Sequence, residues 1–161
     1  MALGVVSAAV LAVGGGALAL LQPGLHEARL SPAGREVFAG VSRGMLDGTL
    51  PAGDALAKAG DQLLARIEAL IAGLPSHAQS ELSQLLSILA SAGGRRALAG
   101  LGTPWQAASV AEIQAALQSM RLSRISLRQQ AYQALHDIVG SAYFADAQTW
   151  SVLGYPGPLK I

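Results

Sequence analysis

The chain has 161 residues, of which 52% are hydrophobic and only 13% charged, with a net charge of +1 at pH 7. That length allows one domain with a sizeable core, and the near-neutral balance gives no electrostatic argument for nucleic acid or an anionic surface as partner. The absence of cysteine excludes disulfides, thiol catalysis and Cys-ligated metals, but leaves the compartment open.

Residues 2–21 read "ALGVVSAAVLAVGGGALALL", with no charge and Ser7 as the only polar side chain. The mean hydropathy of +0.41 owes much to this run. As a helix it would span about 30 Å, one bilayer core. Gly4, Ala8, Ala12 and Gly16 fall four apart and would make a small-residue face for packing against another membrane helix. Residues 1–24 are therefore expected to be a membrane anchor or a signal segment cut near Ala17-Leu18-Ala19. No Lys or Arg precedes the run.

Residues 30–144 read as helices with their punctuation in place. Ser31 is a candidate N-cap with Pro32 at the first helical position; Val37, Phe38, Val41 and Met45 mark the buried side, and Gly48 and Pro51 close the helix. Asp54 opens a second helix with a stripe of Leu56, Leu63, Ile67 and Leu70, stopped by Gly73. Ser76 to Gln79 fits a capping box, followed by Leu82, Leu85, Leu86 and Leu89 on one face. Thr103-Pro104-Trp105-Gln106 fits another box, and Ser109 to Glu112 a third, opening a helix with Ile113, Leu117 and Met120. The last helix is expected over residues 123–144, with Leu127, Ala131, Ala134, Leu135, Ile138 and Ala142 inward and Tyr132, Val139 and Tyr143 on its flank. No run alternates long enough to predict a strand. The expected fold is all-α: a helical bundle preceded by a hydrophobic transmembrane or signal helix and followed by an extended aromatic and proline-rich tail over residues 145–161.

Motifs for chemistry are sparse. There is no phosphate-binding loop and no nucleophile elbow. His77 and Glu81 are one helical turn apart, but no third or fourth metal ligand stands at a matching spacing. His136 and Asp137 are adjacent and should point about 100° apart on a helix. Arg95-Arg96 reads as a solvated helix start, and Arg121, Arg124 and Arg128 as a salt-bridged helix face. The expected catalytic, cofactor-binding and metal residues in this chain are none.

The tail "DAQTWSVLGYPGPLKI" concentrates aromatics in a chain that is only 4% aromatic. Asp146 is a candidate N-cap for a short helix carrying Trp150, stopped by Gly154. Pro156 and Pro158 then fix an extended or turning segment. Such residues suit a protein contact and equally suit packing back onto the bundle. "LDGTLP" (46–51), "SLRQQAYQALHDIVGSAYF" (126–144) and "TWSVLGYPGP" (149–158) together resemble the small accessory proteins of periplasmic flavin dehydrogenases. These are the twin-arginine-signal proteins related to the gluconate 2-dehydrogenase small subunit (subunit 3).

The resemblance implies a non-catalytic helical subunit that anchors, exports and stabilises a large FAD-dependent dehydrogenase of the glucose–methanol–choline (GMC) type. FAD would sit in that partner and none in this chain; electrons would pass to a cytochrome c or quinone. Tyr132, Tyr143, Phe144, Trp150, Tyr155, Pro156 and Pro158 would grip the partner. The implied location is the periplasmic side of a bacterial inner membrane, or the periplasm if the first segment is cleaved. No twin arginine precedes Leu3, a departure from twin-arginine translocation. The rival reading is a stand-alone membrane-anchored helical scaffold or chaperone with no flavoprotein partner.

Overall fold

A computed structural model describes residues 22–154. Residues 1–21 of the expected membrane segment, with Gly4, Ala8, Ala12 and Gly16, lie outside the described residues, as do Tyr155, Pro156 and Pro158. Among the described residues no helix is long and apolar enough to cross a membrane. The elements are β1 (Leu25–His26), β2 (Arg29–Leu30), α1 (Pro32–Met45), α2 (Ala55–Ala72), α3 (Ser76–Ala90), α4 (Ala92–Gly94) running into a π-helical turn (Arg95–Ala99), α5 (Val110–Arg121), α6 (Ser126–Phe144) and a 3-10 turn (Ala147–Leu153). The fold is all-α apart from the small hairpin.

That hairpin corrects the expectation of no strand. Leu25 pairs with Leu30 and His26 with Arg29. Its two turn residues, Glu27 and Ala28, have φ of 49° and 62°, a conformation usually given to Gly or Asn. The packed domain thus begins ahead of residue 30. The Gly24 N–H donates to Ser83 O (3.2 Å), the Ser31 N–H to Gly24 O (3.0 Å), and the Leu25 N–H to Ser83 Oγ (3.0 Å).

Helix α1 is the centre of the bundle, touching α2, α3, α5 and α6. Its start is as expected: Ser31 Oγ accepts the Gly34 N–H at 3.1 Å, with Pro32 in the first turn. Val37, Phe38 and Val41 are fully buried. Gly34, Gly40 and Gly44 are buried too, because neighbouring chain comes too close for a side chain. A Cβ on Gly34 would strike the Gly24 carbonyl, one on Gly40 would lie 2.9 Å from Trp105 Cβ, and one on Gly44 would strike Ile113 of α5. These glycines weaken the helix locally and let three segments approach its axis.

In α2, Leu63, Leu64, Ile67 and Ile71 are buried. Leu56, expected in that stripe, is 43% exposed. Asp54 precedes the helix but makes no side-chain cap. The capping box expected at Ser76 does not form, since Ser76 is already helical and Pro75 holds the cap position. Gln79 turns back instead: its Nε2 donates to Ile71 O (3.1 Å) and Leu74 O (2.9 Å), closing the end of α2.

The end of α3 meets its hydrogen-bond requirement in full. A helix leaves its last four carbonyls unpartnered. Here Ser87 O and Ile88 O accept the Ser91 N–H, and Ser91 Oγ also donates to Ile88 O. Leu89 O accepts from Trp105 Nε1 at 2.8 Å, and Ala90 O from Arg95 Nη1 at 3.1 Å. Ser91 then caps the next turn by accepting the Gly94 N–H. Arg95, expected to be solvated, is buried at 5% exposure, and its Nε finds no acceptor.

Thr103 to Gln106 forms a turn and not the expected helix start. Within it Trp105 is fully buried, and Arg43 Nη2 clamps the turn by donating to Trp105 O (2.7 Å) and Ala108 O (3.0 Å). The third capping box does form: Ser109 Oγ accepts the Glu112 N–H (3.2 Å) while Glu112 Oε2 accepts the Ser109 N–H (2.8 Å). Helix α6 starts at Ser126, three residues later than expected, with Ile125 in the cap position.

Two predictions follow from this packing. Gly40→Ala should destabilise the fold by about 1–3 kcal/mol, because the added methyl overpacks against Trp105. Gly60→Ala in α2, where a Cβ meets nothing within 4 Å, should stabilise it by about 0.5–1 kcal/mol; chemical denaturation of both variants checks the opposite signs. The second concerns Glu112, whose carboxyl is held below its ordinary value of 4.5 first by the Ser109 N–H, then by the Ser109 and Thr103 hydroxyls. A depressed folded value contributes stability above the unfolded value and loses it as pH falls through the folded one. Wild type should therefore melt above Glu112→Gln at neutral pH, and the gap should close as pH drops below 4.5 in paired thermal melts.

Candidate partner-binding end of the bundle

The sequence-predicted contact residues divide into three sets. Tyr143, Phe144 and Trp150 are brought together at the end of α6. Tyr132 is half-buried three turns earlier, its ring 5.5 Å from that of His136. Tyr155, Pro156 and Pro158 lie beyond the described residues.

The α6 end is built from long-range contacts. Tyr143 is buried at 4% exposure, and its hydroxyl donates to Thr49 O at 3.3 Å, joining α6 to the chain just after α1. Phe144 follows it and points away from the core, 37% exposed, with its ring edge-on to Tyr143 at 5.0 Å. Of this pair, Phe144 offers the accessible surface and Tyr143 fixes its position.

Beyond Phe144 the chain stays fastened. Trp150 Nε1 donates to Phe144 O at 2.8 Å, folding the indole back on the helix end, half-buried. Thr149 Oγ1 donates to Tyr143 O (3.1 Å) and Asp146 O (2.7 Å). As expected, Asp146 starts the short turn, its Oδ1 accepting the Gln148 N–H at 3.0 Å. Gly154 ends the turn with φ 65°. Arg66 of α2 bridges to this end: Nε donates to Ala142 O (3.0 Å), and Nη1 pairs with Asp146 Oδ2 (3.2 Å). One carbonyl at the end of α6, Ala142 O, is thereby satisfied by a cation, which also suits the helix dipole.

Sequence reasoning missed Arg66 and Thr149. The spacing between Arg66 and Asp146 carries no local signal, so only the α2–α6 packing reveals the pair.

The other candidates are dispersed. His77 is exposed and makes no ion pair with Glu81. His136 and Asp137 do meet, with Nδ1 3.3 Å from Oδ1, which corrects the expectation that they point apart: flexible side chains close the angle. Both are more than 40% exposed, and the carboxylate also accepts from Gln133 Nε2 at 2.6 Å. Among the described residues no group of three or more His, Cys, Asp or Glu could hold a metal.

An open groove of about 550 Å³ runs between α1 and α2 beside Gln106. Its cations are already engaged: Arg35 with Glu68 at 3.1 Å and Asp61 at 4.0 Å, Arg43 with the carbonyls named above.

The chain matches no known protein family, no curated protein and no solved structure.

Arg66→Ala should leave Ala142 O and Asp146 without their shared partner, costing about 1–2 kcal/mol. It should loosen residues after Phe144 before the bundle itself; faster limited proteolysis in that stretch, with unchanged helical circular dichroism, is the expected result.

Proposed function

We infer that this chain is a non-catalytic accessory subunit of a large FAD-dependent GMC-type dehydrogenase at the periplasmic face of an inner membrane. It would hold and stabilise that flavoprotein, and electrons would leave the complex to a cytochrome c or a quinone. The apolar run at residues 2–21 would tether or export it. The reading rests on the likeness of the "TWSVLGYPGP" end to the small-subunit family.

One observation supports it most: the end of α6 is pinned by Arg66, Tyr143 and Thr149, so Phe144 and the chain leaving Gly154 start from a rigid platform. A partner-binding tail gains from this. A fixed root lowers the entropy lost on docking, and aromatic side chains give large contact area with few torsions to freeze.

Truncation after Gly154 tests the reading, since it leaves every contact described for the bundle intact. The full-length chain, purified from native membranes, should bring down a yellow, flavin-containing protein; the truncated chain should lose at least ten-fold of it while keeping its helicity and melting temperature. A colourless full-length preparation would favour a stand-alone helical scaffold or chaperone instead.

A further inference from the structure

The most exposed large hydrophobic residues among those described are Leu122 at 66% and Ile125 at 58%. They share the four-residue turn between α5 and α6. Arg121 and Arg124 alternate with them, both exposed. Arg121 Nε donates to Gln118 of its own helix at 3.2 Å. Arg124 makes no hydrogen bond or ion pair among the described residues. The salt-bridged face expected for Arg121, Arg124 and Arg128 is absent there: Arg128 donates to Leu98 O (2.7 Å) and Ser119 Oγ (2.9 Å).

The net charge of +1 conceals an uneven distribution. Residues 82–136 hold five arginines and one acid, Glu112, and no Asp or Glu lies between Glu112 and Asp137. The turn also ends at a bare helix start. Ile125 holds the cap position of α6 without a side-chain bond, as do the cap residues of α2 and α3, and the first turn contains no acid; Ser123 Oγ accepts the Ile125 N–H at 3.1 Å. The positive end of the α6 dipole therefore adds to the arginines.

Leu122 and Ile125 are both exposed aliphatics, only three residues apart, with an arginine beside each. Such a concentration marks function. A four-residue turn alone falls well short of the roughly 800 Å² per partner of a standard protein interface. It suits a lipid surface, where aliphatic side chains sink below the headgroups while arginines bind phosphates. The same chain carries an uncharged run of twenty residues at 2–21, apolar but for Ser7, a bilayer's length.

We propose that the α5–α6 turn is a membrane-docking tip: Leu122 and Ile125 insert into the interface of an anionic bilayer, and Arg121 and Arg124 hold its lipid phosphates. About 27 Å of α6 separates this tip from the aromatic end, so the proposal stands whether or not that end binds a flavoprotein.

The lack of native cysteine gives a clean test. Full-length Ser123→Cys, labelled with an environment-sensitive fluorophore, is reconstituted into phosphatidylcholine vesicles with and without phosphatidylglycerol. Full-length Ala145→Cys, labelled at the far end of α6, is the control. The label at 123 should shift to the blue and be quenched by a lipid-borne quencher only in anionic vesicles, with the label at 145 remaining in water. Arg124→Gln should cut the buried-to-exposed ratio about five-fold, and Leu122→Ser with Ile125→Ser more than ten-fold, with unchanged helicity. A label at 123 that stays in water, that is buried equally without anionic lipid, or that shifts only when a second protein is added without lipid would overturn the proposal.

Discussion

The bundle depends on one close fit, the indole of Trp105 against the bare backbone of Gly40. Trp105 comes from a stretch without regular structure, yet it is among the most deeply buried side chains. A ring of that size reaches the side of α1 only where a Cβ is missing. Once there, its N–H completes the end of α3 through Leu89 O, a polar group that would cost about 1–3 kcal/mol if buried unpaired. Arg43, one turn along from Gly40, secures the backbone carbonyls of the same turn. The residues that follow then reach Ser109 in place to cap α5. Three helices are set relative to one another by a residue that belongs to none of them.

Local rules hold where a few consecutive residues decide the outcome. Ser31 with Pro32, Ser109 with Glu112, the four leucines of α3 and the Asp146-to-Gly154 turn all behave as their spacing implies. They fail where a distant segment competes. Ser76 was displaced from its cap role by Pro75, which left Gln79 free to close α2. Thr103 begins no helix because burying Trp105 outweighs the capping preference. The hairpin was invisible because Glu27 and Ala28 carry no turn signature; tertiary anchoring of Gly24 and Leu25 on Ser83 holds them at positive φ. Gly34, Gly40 and Gly44 look like poor helix formers in a one-dimensional reading, and only the packed neighbours explain them.

The candidate site was legible to the same extent. The cluster of aromatics at the chain end is a compositional signal and needs no fold. The division of labour within it is not: Tyr143 anchors, Phe144 faces outward, and Trp150 folds back on the carbonyl of Phe144. Arg66 illustrates why. Its pairing with Asp146 is partly exposed, so its Coulombic contribution is small. Its larger effect is geometric, since one guanidinium spans a helix-terminal carbonyl and the carboxylate that opens the next turn.

Helix α6 carries opposite chemistry at its two ends. Its start has no side-chain cap and is flanked by arginines and exposed aliphatics; its finish is satisfied by Arg66, Thr149 and Trp150 and bears aromatic surface. The roughly 27 Å between them exceeds the screening length of about 8 Å at physiological ionic strength, so the charge at one end is scarcely felt at the other. On the two proposals made for these ends, contact with lipid would weaken steeply with salt, because arginine–phosphate attraction is screened. Contact with a protein through Phe144 and the tail would hold, because burial of aromatic surface is not. On those proposals, a helix arranged this way would keep a membrane and a protein partner as separate equilibria while fixing the distance between them.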